Sequence, residues 1–296
     1  MRKSLRISIG VAIVAIAAVL SLFEPTSRFL KRAAGMYADG PPPAGVMQVR
    51  FMDVGNADCI LIRADGYTVM IDAGENDDED AVLNELRRQG VERIDLLIAT
   101  HADADHIGGM DGLVRGMQVV TLMHALSADT ADADVIALMR AVEERGVPTL
   151  EPVLLNTYTV GGMQLEILGP AAAFRETNDR SLVFRLTFGT VTFLFTGDAS
   201  SVAEDAMMER GLDLSADVLK ISHHGSGTAT SEKFLRAVDP SVAVVSCGDG
   251  NRHGHPHKKV LGRLSAQNID LFRTDLDGTV ILETDGRELR VVSPIT

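Results

Sequence analysis

The chain has 296 residues, 46% apolar and 23% charged, the values of an ordinary globular protein, which excludes a disordered or fibrous one. Its formal net charge is -13, with ten Phe, three Tyr and no Trp. That balance argues against a broad basic footprint on duplex nucleic acid and against wide stacking platforms for single strands. The first 44 residues carry six basic and two acidic side chains, a net of +4, so the remainder carries -17.

Arg2, Lys3 and Arg6 precede Ile7 to Phe23, seventeen residues without a charge. As a helix this run would reach about 26 Å, near the lower limit for crossing a bilayer. A basic start before an apolar run also fits a secretory signal or a peripheral helix, but no small-x-small cleavage site follows Leu20 to Phe23. The expectation is a membrane anchor over residues 1–24, with the signal reading kept open. Residues 25–45, ending in Gly40-Pro41-Pro42-Pro43, read as a linker. A folded domain over 46–296 follows, exported into the cell envelope, or secreted if the signal is cleaved.

From Val46 the chain alternates short strands and helices. Val46 to Phe51, Ala57 to Arg63 and Tyr67 to Asp72 are strand candidates. Glu79 to Gln89 has Val82, Leu83 and Leu86 at helical spacing and closes at Gly90. Ile94 to Thr100 is an apolar strand that delivers His101 at its tip. Further on, Leu182 to Leu186 and Thr190 to Thr196 form a hairpin, Val202 to Arg210 a helix, and Val218 to Ser222 a strand ending at His223. Helices at Ser231 to Val238 and His257 to Ala266 interleave with strands at Val242 to Cys247, Asp270 to Arg273, Thr279 to Glu283 and Leu289 to Val292. Frequent hairpins favour stacked sheets covered by helices over a doubly wound parallel sheet. Cys59 and Cys247 lie in apolar strand-like runs and read as buried thiols.

His101, Asp103, Asp105 and His106 place four metal-ligating side chains within six residues. Ala102 and Ala104 let the chain curl, and Gly108 and Gly109 permit close backbone approach. Clustered carboxylates repel, and burying them is costly unless cations offset their charge, so a metal centre explains the cluster better than a hydrated loop. Asp198 ends an apolar strand, where an Asp alone reads equally as a helix cap. His223 and His224 enter the Gly225-Ser226-Gly227 loop, which favours a site over two structural histidines. His255 and His257 straddle Pro256; His255 can donate to a substrate oxygen or shuttle a proton. Lys220 reads as electropositive substrate support or as an ordinary strand-edge lysine.

These elements together resemble the metallo-beta-lactamase fold superfamily, and most closely its branch in the hydrolase domain of ComEC/Rec2-type DNA-uptake proteins. The resemblance is carried by Asp53-Val54-Gly55-Asn56-Ala57-Asp58, His101 to Gly109, Asn178 to Leu182, Thr196-Gly197-Asp198, His223 to Ser226, Gly254 to His257 and Arg273 to Gly278. It implies an α+β, four-layer αββα sandwich over residues 46–296, and a dinuclear centre of two divalent ions. It places His101, Asp103 and Asp198, with Asn178, on one ion. Asp105, His106, Asp198 and His223 are placed on the other. Asp72 supports the site from behind, and Asp105, His224 and His255 are the candidate catalytic residues. The branch has Asp103 and Asn178 where other members carry histidine, and that donor set suits either zinc or manganese.

The expected activity is metal-dependent hydrolysis of a phosphodiester, DNA first, by a hydroxide shared between the two ions. Hydrolysis of a small phosphodiester, thioester or lactam is the second reading. A metal-binding envelope protein without catalysis is the third.

Overall fold

The computed structural model describes residues 40–127 and 131–292. The candidate anchor at residues 7–23 and the linker up to residue 39 lie outside the described residues. Among the described residues, no helix is long and apolar enough to cross a membrane. Both sheets and the site belong to the unit formed by Pro42–Arg87 with Val91–Thr296.

The first half contains β1 (Met47–Phe51), β2 (Ile60–Ala64), β3 (Tyr67–Ile71), α1 (Glu79–Arg88), β4 (Arg93–Ile94), β5 (Leu96–Ala99), α2 (Ala104–Ile107), α3 (Met110–Gly116), β6 (Gln118–Val119), β7 (Leu122–His124), α4 (Ala133–Arg145) and β8 (Thr149–Leu150). The second half contains β9 (Thr157–Val160), β10 (Met163–Gly169), β11 (Val183–Phe188), β12 (Val191–Phe195), α5 (Ser201–Glu209), β13 (Val218–Lys220), α6 (Glu232–Val238), β14 (Val242–Val245), α7 (Lys258–Ala266), β15 (Asp270–Arg273), α8 (Thr274–Asp277), β16 (Val280–Thr284) and β17 (Leu289–Val291).

Eight strands form one sheet in the order β17-β16-β1-β2-β3-β5-β7-β8, and seven form the other in the order β15-β14-β13-β12-β11-β10-β9. Each is mixed. The run from β3 through β5 and β7 to β8 is parallel, as is the run β12-β13-β14-β15, while the hairpins elsewhere are antiparallel.

Strand alternation divides the interior into three cores. Val49, Ile62, Val69 and Ile98 face Leu165, Phe184, Phe193 and Val244 between the sheets. Their sequence neighbours point outward: Leu61, Met70 and Leu97 pack with residues of α1, α3 and α4, and Leu194, Leu219 and Ala243 pack with residues of α5, α6 and α7. Strands buried on both faces read as continuous apolar runs rather than alternating ones. The four-layer αββα arrangement expected from the sequence is the one observed.

Local differences have local causes. The expected strand Ile94 to Thr100 is broken at Asp95, whose backbone N–H donates to Thr68 O at 2.8 Å and whose carboxylate accepts from Thr68 N–H at 2.9 Å. That pins it to β3 and leaves β4 to pair with β6 in a separate two-stranded sheet. The strand expected to reach Ser222 ends at Lys220, because His223 and His224 both turn into the left-handed region, with φ of 52° and 51°.

Candidate metal centre

Parallel strands carry their carboxyl ends to one edge of a sheet, and the site is built there. Asp72 follows β3, His101 follows β5, Asp198 follows β12, and His223 and His224 follow β13. The one-turn α2 presents Asp105 and His106 from the loop after β5. Its seat is tight: a Cβ on Gly108 would lie 2.5 Å from Ala104 O and Asn76 N, and one on Gly109 would lie 2.5 Å from Ala73 O.

Hydrogen bonds behind the site fix how each imidazole is turned. His106 Nδ1 lies 2.7 Å from Asp72 Oδ2 and donates to it. The Thr100 hydroxyl also donates to Asp72 Oδ2, at 2.6 Å, and so accepts from His101 Nδ1 at 3.1 Å. His224 Nδ1 donates to Ser246 O at 3.0 Å. With Nδ1 protonated in each, the network assigns a bare Nε2 to all three rings.

Those Nε2 atoms converge on carboxylates. His106 Nε2 is 3.2 Å from Asp198 Oδ1, and His224 Nε2 is 3.2 Å from Asp105 Oδ2 and 3.7 Å from Asp198 Oδ2. His101 Nε2 is 3.6 Å from Asp103 Oδ2 and 4.0 Å from Asp198 Oδ2. His101, His106 and Asp198 form one triad whose candidate ligand atoms lie within 4.8 Å of one another; Asp105, His106 and His224 form a second. The three Nε2 atoms and Asp198 Oδ1 are buried and make no well-formed hydrogen bond. Buried lone pairs left this way cost free energy unless a cation takes them, so the donor set fits divalent metal ions.

The electrostatics agree. Burial disfavours a charged His106, yet the carboxylates of Asp198 and Asp72 outweigh it and hold its pKa well above the usual histidine range. Burial would raise the Asp105 carboxyl, but the neighbouring His224 ring and the charge of His106 hold it down at about 2. On His106 the carboxylates favour a proton on the ring, which a metal ion taking Nε2 would displace.

The other expected site residues are distributed more loosely. Among the described residues, no triad of histidines and carboxylates includes Asp103 or His223. His223 is partly exposed, with Nε2 3.7 Å from Asp198 Oδ2 and Nδ1 3.3 Å from the Asn178 amide. The geometry brings His224 into a triad and leaves His223 beside Asp198 and Asn178. Two adjacent histidines in one turn cannot be told apart by spacing.

His255 lines the same cavity of about 550 Å³ as Asp103, Asp105, Asp198, His223 and His224, with Arg252 and His253 at its rim. Burial and the surrounding histidines lower its pKa to about 4. His257 instead staples two loops, accepting from Gly227 N–H at 2.8 Å and reaching His253 O at 3.1 Å. Thr100, Ser246 and Asp58 were missed as supporting residues. Only Asp58 left a trace in the sequence, as the last acid of the Asp53 to Asp58 run.

Residues 52–249, more than half of the chain, match the family model of the metallo-beta-lactamase superfamily. ComE operon protein 3 of Bacillus subtilis is 34% identical over 66% of this chain, and Competence protein ComA of Neisseria gonorrhoeae is 29% identical over 80%. The chain spans only 25% and 32% of those proteins' lengths. The crystal structure of the metallo-beta-lactamase fold protein YhfI from Bacillus subtilis superposes with a TM-score of 0.56 at 16% identity, covering 81% of this chain and 99% of that one. Fold, ligand clusters and sequence agree that the chain belongs to the metallo-beta-lactamase superfamily, as a metal-dependent hydrolase related to the ComE, ComA and Rec2 competence proteins.

Proposed function

We propose that the chain is a phosphodiesterase that cleaves DNA with two divalent ions, zinc or manganese, in the cell envelope. His101, His106 and Asp198, with Asp103 nearby, would hold one ion; Asp105, His224 and Asp198 would hold the other. The observation that carries this reading is the convergence of three buried, unpartnered Nε2 atoms on Asp105 and Asp198.

When bound, such a pair supplies activation of water at neutral pH and stabilisation of negative charge on a phosphoryl oxygen. The chain's own groups do the rest. Asp72, Thr100 and Ser246 hold the imidazole tautomers. His255, kept neutral by burial, offers a hydrogen bond to a phosphoryl oxygen, and Arg252 and His253 at the rim meet the charge of the phosphate. His223 and Asn178, beside Asp198, would be available to a metal ion or to the substrate. The relatives, which include a competence protein and a recombination protein, support nucleic acid as substrate. Residues 7–23 serve as membrane anchor or signal, with residues 25–45 as linker and 46–296 as the hydrolase domain.

A small phosphodiester is the second reading, favoured by a cavity that also bears Glu75, Asp103 and Asp249, which repel a polyanion. Both readings meet in one experiment on the full chain: labelled single- and double-stranded DNA, bis(p-nitrophenyl) phosphate and a cyclic dinucleotide, each with Mn²⁺ or Zn²⁺. Metal-dependent DNA cleavage that disappears in Asp105→Ala is expected. Turnover of the small diesters alone would transfer the assignment to them, and cleavage surviving in Asp105→Ala would remove the site from the reaction.

A further inference from the structure

Asp58, Asp72 and His106 form a third triad with the spacing of a metal site. A side-chain cation already stands against it. Lys220 Nζ lies 2.9 Å from Asp58 Oδ2, both side chains are almost wholly buried, and Nζ also donates to Ile221 O at 3.0 Å.

The backbone of Asp58 ties together the segments that carry the ligands. Its N–H donates to Asp105 O at 3.0 Å, and its C=O accepts from Gly74 N–H at 2.9 Å, beside the Asp72 turn. Its side chain reaches across to the other sheet through Lys220, the last residue of β13, directly before the left-handed His223-His224 turn. Asp58 Oδ1 lies 3.7 Å from His224 Nδ1, and Oδ2 lies 3.9 Å from His106 Nδ1.

We infer that Asp58 and Lys220 are a positioning pair: a buried ion pair that spans the two sheets beneath the metal centre and sets the placement of His224 against Asp105. A buried pair replaced by an isosteric neutral one can leave folding intact, whereas a single uncompensated charge cannot be relied on to do so. What such a replacement removes here is the charge and the tether behind His224. The lysine also accounts for the third triad without a third metal ion, since its ammonium supplies the positive charge at that point.

This inference rests on the dinuclear reading above, and its test uses Co²⁺ titrated into the metal-free full chain in detergent, followed by the visible absorption of the ion. The wild type should take up two equivalents, with one lost in Asp105→Ala. If it does not, the dinuclear reading falls, and the role of the pair with it.

The neutral pair Asp58→Asn/Lys220→Met should keep the wild-type unfolding temperature while one equivalent binds about 10- to 100-fold more weakly, with an altered Co²⁺ spectrum. Unchanged affinity and spectrum would overturn the inference, and so would loss of the fold, which would make the pair a folding element alone. Asp58→Asn by itself keeps an acceptor for Lys220 and should show the same weakening. Wild-type affinity in that variant also counts against the pair.

Discussion

Asp198 is the residue on which the site depends most, because the bare Nε2 atoms of His101, His106 and His224 all face its two oxygens. Asp198→Ala should lose metal and turnover together, by more than the about 100-fold that supporting residues cost. Metal analysis and steady-state rates on the same preparation check this; retained metal with lost turnover would recast Asp198 as a substrate contact. His255 makes a different demand. Burial and neighbouring histidines lower its pKa to about 4, whereas a free histidine titrates near ~6.5. Between those values the unfolded chain holds a proton that the folded one lacks, so stability falls as pH drops through that window and no further below it. In urea unfolding of the metal-free chain, His255→Asn should flatten that part of the pH dependence. An unchanged slope would show that other groups produce it.

At the scale of elements, the loops after the strands are held by partners remote in sequence. Glu204 on α5 is buried and accepts from the N–H groups of Thr230 and Ser231, and Arg263 on α7 donates to Ala229 O and Thr230 O. The Glu204 carboxyl is raised by burial, against those donors, which lower it. Glu204→Ala leaves two amides without an acceptor, and we expect a loss of about 2–4 kcal/mol in chemical denaturation. A loss under ~0.5 kcal/mol would mean that solvent reaches these amides and that the clamp is not needed. The strands around the site were readable because each is a short apolar run bounded by turn residues. Helices α3 and α4 and strands β7 to β10 were not assigned. Gly112 and Gly116 obscure the helical pattern of α3, and β8 and β9 are short edge-side strands whose half-buried residues look like loop.

For the whole molecule, charge is the dominant fact. A domain that carries -17 beyond residue 44 cannot hold DNA through a broad basic surface, so on the proposed DNA reading its grip would come from the metal centre and the few cations at the rim. With EDTA at low salt, the full chain should not retard a labelled duplex; Mn²⁺ should restore binding, and Asp105→Ala should not respond to it. Binding that persists in EDTA would reveal a basic surface elsewhere. The proposed envelope location belongs to this scale as well. If residues 7–23 anchor the chain, it should stay with membranes through an alkaline carbonate wash, while release would favour a cleaved signal.

The sequence by itself determined the fold class, through apolar runs that only strands buried on both faces require, and the heart of the site, through four ligands crowded into one loop. Asp72 and Asp198 entered through the family resemblance, since an acid at the end of an apolar strand reads by itself as a helix cap. Tertiary structure alone decided that His224, rather than His223, is the buried ring of the pair. That choice depends on which ring of a left-handed turn reaches inward and finds Ser246 O behind it, a contact between segments twenty-two residues apart. The same holds for Lys220. On paper it was a strand-edge lysine or a substrate contact; in the fold it is buried on Asp58, because two sheets brought face to face leave a carboxylate there that needs a cation.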